Sequence, residues 1–365
     1  MKILRRILVG ILVLPLLFLL YVLVSILHAT LTDFQPAEKT SLSLENPSKQ
    51  TSISDSTLSF LIWNIGYGGL GAKSDFFFDD GGMLHSGDKM VRSSEDLVRQ
   101  YLGLQDDFLK KQDADFYLLQ EVDFDSKRSY YINQLSRFAQ FFPQHERSFA
   151  RNYDVTRVPV PIFEPFNVMG KTKSGLATYS RYHAAEATRL QLPGSFDWPK
   201  RIFQLDRCIA LHRYPVGAGK DLVVLNIHNS AYDKGGFLKA QQMEYFKKTV
   251  LSEYEKGNYV IAGGDWNQCP PNFQFDKFMP GRSGRFTQTN IPADFLPKGW
   301  TWAYDPSTPT NRKVPTKYIE GESFITLIDF FVASPNVQID SVRGMDLNFQ
   351  SSDHQPVYLE VSLKG

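Results

Sequence analysis

The stretch Asn258–Asn267, NYVIAGGDWN, runs from an apolar segment through paired glycines to two oxygen-bearing side chains. Tyr259-Val260-Ile261-Ala262 is short, apolar and β-branched, which reads as a buried strand. Gly263-Gly264 then lets the backbone turn tightly at the end of that strand. Asp265 and Asn267 stand two positions apart, so in extended chain both side chains point the same way. A carboxylate and a carboxamide just past a buried strand form a place for a cation or a substrate oxygen, on the edge where open α/β sheets carry ligands. An Asx-rich turn is the plain alternative. Five other strand ends finish in similar groups, and that repetition moves the reading toward chemistry.

Upstream, Phe237–Lys256 reads as a helix closed by Gly257-Asn258. Before it, Arg207–Arg213 and Asp221–His228 read as successive strands, the second placing Asn226 and His228 on one face at its end. A histidine at a strand mouth is the side chain that titrates near neutrality. Ser174–Arg181 is a short strand that ends on a basic residue. Asp115–Leu119 ends in Gln120-Glu121, and a carboxylate closing an apolar strand is either a solvated end or a metal ligand, since acids are rarely fully buried unless paired. Leu58–Trp63 ends at Asn64, ahead of Gly66-Tyr67-Gly68-Gly69.

The spacing predicts a helix over Ser93–Lys111 with Leu97, Tyr101, Leu104 and Phe108 on its inner face. It predicts another over Ser126–Phe142 with Tyr131, Leu135, Phe138 and Phe142 inward. Residues 70–91 and 152–173 read as loops. The first carries an exposed aromatic cluster, Phe76-Phe77-Phe78, placed to line a pocket or to pack on a sheet edge. Downstream of Asn267 comes a long loop rich in proline and aromatics, in which Trp300 and Trp302 pack against the sheet. Thr326–Val332 is a strand with one embedded acid, Asp329, which must have a partner. Ser352-Asp353-His354-Gln355-Pro356 precedes the last strand, Val357–Leu363.

Ile7–Leu27 is uncharged, and its length fits the roughly 20 residues that cross a bilayer. A cleaved signal peptide would have a shorter apolar core, of about 7–15 residues, and a better cleavage site than Ile26-Leu27-His28-Ala29-Thr30. The expected organisation is therefore an uncleaved signal anchor within residues 1–31, a solvated tether over 32–56 and one large α/β domain over 57–365. Lys2, Arg5 and Arg6 precede the span, which leaves the N-terminus in the cytoplasm and the domain outside, as a single-pass membrane protein. Of 40 basic and 39 acidic residues, 5 and 4 precede Thr57, so the domain carries 35 of each and is formally neutral. That balance disfavours a nucleic-acid binder, which usually shows a basic excess. Cys208 and Cys269 are able to pair in an oxidising compartment but do not make a disulfide framework.

Taken together, the segments IWN, LQEV, SGLATYSR, NIH, GGDWN, LIDFF and SDHQP stand in an order that resembles the endonuclease/exonuclease/phosphatase superfamily, from about Leu58 to the C-terminus. The resemblance implies a four-layer α/β sandwich, two mixed β-sheets packed face to face with helices outside. It implies a metal-dependent phosphoric ester hydrolase working with Mg²⁺, for which Mn²⁺ is an expected substitute. Residue by residue, it makes Glu121 the main metal ligand, with Asn64 beside it and Asp353 nearby. Asp265 and Asn267 match the pair that positions the phosphate and the attacking water, and Asp329 the carboxylate that orients His354. His228 matches the second histidine of the deoxyribonuclease-like and sphingomyelinase-like branches. Asn226 and Arg181 are placed at the substrate. The expected activity is a phosphodiesterase acting on lipid head groups, favoured by the anchor and the aromatic loops. The alternatives are an extracytoplasmic nuclease, a phosphomonoesterase and a non-catalytic binding protein on the same scaffold. A monomer is expected.

Overall fold

Alternating apolar positions assemble the chain into two large sheets in the computed structural model. It describes residues 2–80, 82–231, 233, 235–274, 278 and 289–364, with the backbone alone for residues 2–12 and 80. In chain order the strands are β1 (Lys39–Ser41), β2 (Thr57–Asn64), β3 (Phe116–Asp123), β4 (Glu146–Val158), β5 (Gly170–Ser180), β6 (Glu186–Gln191), β7 (Cys208–Gly217) and β8 (Lys220–His228). They continue with β9 (Tyr259–Asp265), β10 (Thr301–Ala303), β11 (Asn311–Arg312), β12 (Ile325–Thr326), β13 (Asp329–Ala333), β14 (Val337–Gly344) and β15 (Val357–Leu363). The α-helices are α1 (Lys2–Leu31), α2 (Glu95–Leu109), α3 (Gln134–Ala139) and α4 (Phe237–Glu255). One sheet has the order β1-β6-β7-β8-β9-β13-β10 and the other β14-β15-β2-β3-β5-β4, while β11 and β12 form a small ribbon. Both large sheets are mixed: β2 and β3 pair in parallel, as do β8 and β9, and the other neighbours are antiparallel.

The period of two decides the layers. In β2, Leu58, Phe60 and Ile62 face the other sheet and meet Leu222, Val224, Ile261 and Phe331 in the central core. The alternate residues Leu61 and Trp63 face outward, under Val98, Leu102 and Leu109 of α2 and Leu135 and Phe138 of α3. In the first sheet Val223, Leu225 and Ile227 likewise face outward, against Met243, Phe246 and Val250 of α4. Strands buried on both faces read as continuous apolar runs, which is how β8 and β9 stand in the sequence. The result is the expected four-layer sandwich.

Several local expectations change. β9 does not turn at Gly263-Gly264 but runs through them to Asp265. The glycines serve close approach instead: at Gly264, where φ is +144°, a Cβ would lie 2.1 Å from the Ile227 carbonyl oxygen. α2 starts one residue after its Ser94 cap and is rotated from the expected face, burying Val98, Tyr101, Leu102, Gln105 and Leu109 and leaving Leu104 exposed. The helix expected over Ser126–Phe142 breaks in two, because Tyr130 and Tyr131 adopt left-handed φ values of 56° and 59°. Tyr131 is accordingly exposed. Residues 152–173, read as a loop, include the ends of the long hairpin β4–β5. The strand expected over Thr326–Val332 begins only at Asp329. Part of the loop after Asn267, residues 275–277 and 279–288, lies outside the described residues. Trp300 and Trp302 do pack on the sheet core. Cys208 and Cys269 are separate, buried free thiols.

The tether expected over 32–56 is instead a strap fixed to the domain. β1 covers the open edge of β6, and the Leu42 amide continues that pairing to the Ala187 carbonyl at 2.8 Å. Glu45 pairs with Arg147 at 2.8 Å, and Ile53 is buried with its amide donating to the Pro215 carbonyl. A polar composition hid a segment whose role is to satisfy an exposed sheet edge. Limited proteolysis of the native chain should therefore spare residues 39–55 while cutting exposed loops. Rapid cleavage inside that strap would contradict its docking. Ahead of it, α1 contains Val13–Leu31, long and apolar enough to cross a membrane, as a signal sequence at this position also would be. The side chains of Lys2, Arg5 and Arg6, on which the orientation argument rests, lie outside the described residues.

Candidate active site

Strand register gathers the acids and histidines. His228 is the parallel partner of Asp265 across β8 and β9, and Asp265 is the antiparallel partner of Asp329 across β9 and β13. Three strand ends thus set three functional side chains in one row. From the facing sheet, Asn64 closes β2, and its Nδ2 donates to Asp265 Oδ2 at 3.0 Å, joining the two sheets at their mouths. His354 arrives on the segment before β15, held by its amide to Ser352 Oγ and by Trp63 Nε1 donating to its carbonyl at 3.0 Å.

Within this row His354 Nδ1 donates to Asp329 Oδ2 at 2.8 Å, while its Nε2 lies 3.7 Å from Asp265 Oδ2. His228 Nε2 approaches the same Asp265 oxygen at 3.3 Å. The two histidines differ in charge. Burial opposes charge on His354, yet Asp329 and Asp265 outweigh it and raise the ring to about 10, giving an imidazolium. His228 is lowered well below the ordinary imidazole value, first by burial and then by the charges of Arg207 and His354, and so is neutral. Asp329 is raised to about 6, chiefly by burial.

Glu121 reaches the site by an irregularity. A bulge between Leu119 and Val122 interrupts the pairing of β3 with β5, and Glu121 takes a left-handed φ of 54°. Without the bulge, plain alternation would put Glu121 on the outer, helix-covered face with Leu119. A non-glycine residue held there costs on the order of 1–3 kcal/mol, a strain that concentrates at functional sites. Its carboxylate lies 3.4 Å from Asn64 Nδ2 and 3.9 Å from His228 Nε2.

The donor set fits a divalent cation. Asp353 is raised to about 7 by burial, with the neighbouring Glu121 charge adding to the rise. Among the described residues no lysine or arginine forms an ion pair with either carboxylate. His354 and Arg312 oppose the rise at Asp353, but two crowded carboxylates with no lysine or arginine in ion-pair contact among the described residues are what a hard cation with oxygen ligands satisfies. Asp265, Asp329 and His354 also bring donor atoms within 4.8 Å of one another. There, however, Asp329 Oδ2 already accepts from the His354 ring. Asn64 is turned away from ligation: its Oδ1 accepts from the Gly66 amide at 3.0 Å, leaving its NH₂ toward Glu121.

Asn267 stays beside Asp265, in an Asx turn closed by its own amide on Asp265 Oδ1 at 2.9 Å, and lines the cleft. Two expected site residues do not. Asn226 is fully buried between the sheets, donating to the Ala177 carbonyl at 3.0 Å and accepting from Gln120 Nε2 at 2.7 Å. It shares a face with His228, but two residues deeper into the sandwich. Arg181 lies at the other end of the sheet, pairing with Asp113 and with Asp115 at 3.3 Å. Because β5 runs antiparallel to β3, its end meets the start of β3 and not the Glu121 end.

The geometry adds residues that no motif singled out. The Asn311 carboxamide lies 3.0 Å from His354 Nε2. Arg128 lies 3.8 Å over the Tyr67 ring and is locked by two bonds, of 2.9 and 3.1 Å, to the buried Asp123. Tyr67 and Arg128 line the cleft with Arg207. Tyr67 between two glycines was the available sequence signal; Asn311 had none. The cleft measures about 1090 Å³ including the space open to solvent. Its lining also includes an apolar wall built from Phe76–Phe78, Val158, Val160 and Met169. Phe77 is buried, so the aromatic cluster is packed and lines the pocket.

Residues 63–354 match the sequence profile of the Endonuclease/Exonuclease/phosphatase family. No curated protein matches the chain. Among solved structures, an endonuclease/exonuclease/phosphatase from Beutenbergia cavernae DSM 12333 is similar over 85% of this chain and 72% of its own, with a TM-score of 0.55 and 16% identity. ANGEL2, a 2',3'-cyclic phosphatase, in complex with adenosine-2',3'-vanadate, is similar over 89% of this chain and 99% of its own, with a TM-score of 0.54 and 13% identity. TDP2 from C. elegans covers 84% of this chain and 75% of its own, at a TM-score of 0.50 and 14% identity. At such identities the likeness speaks for the fold alone.

Proposed function

The chain belongs to the Endonuclease/Exonuclease/phosphatase family of phosphoester hydrolases, and from that premise we propose that it is a membrane-anchored phosphodiesterase, dependent on a divalent metal, that cleaves a lipid head group outside the cytoplasm. Family members typically depend on a divalent metal, Mg²⁺ being the expected ion here. The observation that carries the substrate reading is the mixed lining of the cleft. Glu121, Asp265, Asp353 and both histidines share it with the apolar wall of Phe76–Phe78, Val158, Val160 and Met169. An amphiphile with a phosphodiester between its polar and apolar parts matches that combination, and the formally neutral domain disfavours nucleic acid.

Glu121 and Asp353 would hold the cation, which supplies Lewis-acid stabilisation of the phosphoryl oxygens. The remaining roles fall to the chain's own groups. Asp265 Oδ2, shared among Asn64, His228 and His354, is placed to orient a water and accept its proton. Neutral His228 steadies that carboxylate without neutralising it. The His354 imidazolium, aligned by Asp329, meets negative charge as it grows on the phosphoryl group, the larger part of such catalysis. Arg128 and Arg207 supply fixed positive charge at the cleft, which Arg181, expected at the substrate, does not line.

A hydrolysis panel with the full chain in mixed micelles tests this: phosphatidylcholine, sphingomyelin, plasmid DNA, RNA and inositol phosphates, with and without Mg²⁺. Metal-dependent release of a phosphorylated head group supports the proposal; turnover confined to DNA or RNA replaces it with a nuclease. The apolar wall offers a sharper test. Phe76 and Phe78 are half-buried, so Phe76→Ser with Phe78→Ser spares the buried Phe77. Burying one such side chain is worth about 1.5–3 kcal/mol. The pair should therefore lower kcat/KM on a long-chain phospholipid by about tenfold or more, and leave a small aryl phosphodiester within about twofold. Equal losses on both substrates would count against an apolar subsite.

A further inference from the structure

The hairpin that supplies the cleft wall also carries a cluster of apolar side chains out of the domain. Between β4 and β5 the chain reads PVPIFEPFNVM, with Phe166 95% exposed and Phe163 44% exposed at the tip. Leu84 and Trp198, from neighbouring loops, are 52% and 56% exposed. The single acid of the tip, Glu164, is already satisfied: it accepts from the Ser86 amide at 2.6 Å and from Ser86 Oγ at 2.7 Å.

This cluster is continuous with α1. The Phe18 ring packs on Phe163 with centroids 5.2 Å apart, the His28 ring bonds Thr156 Oγ1 at 2.7 Å, and Trp198 Nε1 donates to Thr30 Oγ1 at 3.0 Å. From Phe18 to Thr30 is about 18 Å of helix at about 1.5 Å per residue. A helix that enters hydrocarbon within that length brings the hairpin tip to the same level. The docked strap over residues 39–55 holds the domain in this pose rather than letting it swing. Arg157 and Lys200 flank the cluster where anionic head groups would lie, and a tryptophan beside them suits the membrane–water boundary.

We propose that the β4–β5 tip, with Leu84 and Trp198, seats in the surface of a lipid bilayer beside α1. The same hairpin contributes Val158, Val160 and Met169 to the cleft, so seating it opens the active site onto the lipid head groups. A substrate molecule then reaches Glu121 with its apolar part still against apolar surface. The proposal rests on the reading of α1 as a membrane helix given above.

The test uses the full chain reconstituted in phosphatidylcholine/phosphatidylglycerol vesicles, with Phe166→Cys carrying an environment-sensitive fluorophore. Both native cysteines are buried and stay unlabelled. Lys111→Cys, exposed beside the opposite strand ends, serves as the reference. The label at position 166 should shift to the blue, lose most of its emission to nitroxide-bearing lipids and resist an aqueous quencher; the label at 111 should do the reverse. Equal access of the aqueous quencher to both positions would overturn the proposal, whether or not the protein hydrolyses lipid. Extraction of the chain from vesicles by alkaline carbonate, with position 166 still lipid-quenched, would reject the spanning helix and leave the seated tip standing. Failure to bind vesicles at all would reject both.

Discussion

His354→Ala should lower kcat by about two to four orders of magnitude on a small soluble phosphodiester at saturating Mg²⁺, with no recovery as metal is raised further. The ring sits between Asp329 at 2.8 Å and Asp265 at 3.7 Å, and those carboxylates hold it protonated. Alanine removes the charge proposed to meet the phosphoryl oxygens and leaves two buried carboxylates facing each other. Asp329→Asn should cost less, because the imidazole remains while the charge that aligns it is lost. Residues that act as a unit do not add, so His354→Ala with Asp329→Asn should be barely slower than His354→Ala alone. Steady-state rates, with circular dichroism confirming the fold, check the series. Multiplying losses, or near-full activity in His354→Ala, would show that the pair has been given the wrong role.

The parts of this site legible in the sequence are those at regular strand ends. Asp265, His228 and Asp329 close or open strands whose apolar runs are plain, and register alone then aligns them. Arg181 and Asn226 show where that logic stops. Arg181 also closes a strand, but strand direction is not written in the run itself, and antiparallel pairing sends β5 to the other end of the sandwich. Asn226 obeys the two-residue period with His228 and yet falls short of the mouth, where Gln120 uses it to tie the sheets together. The strap was illegible for another reason: a three-residue edge strand needs backbone groups and few apolar side chains, so composition marks it as solvated chain. Asn311 stands in a two-residue strand too short to show a period, and Arg128 in a stretch that reads as an ordinary amphipathic helix, so only tertiary packing reveals them at the cleft.

Glu121→Gln should separate the metal side of the site from the proton-handling side. The substitution keeps shape and loses one negative charge at a position without a lysine or arginine ion partner among the described residues. The apparent Mg²⁺ constant should therefore rise by about tenfold or more, and much of the lost rate should return at high Mg²⁺, because a hard cation tolerates a neutral oxygen ligand at reduced affinity. The left-handed backbone at Glu121 is no harder for glutamine than for glutamate, so thermal stability without metal should be unchanged or slightly higher as repulsion with Asp353 falls. The alternative is a cation seated on Asp265, Asp329 and His354. It makes the opposite assignment: Asp329→Asn would then be the variant rescued by metal, and Glu121→Gln would be slow at every Mg²⁺ concentration. Titrating both variants with Mg²⁺, by rate and by the metal-induced rise in Tm, decides between the two positions, since the rise in Tm follows binding even where turnover is lost.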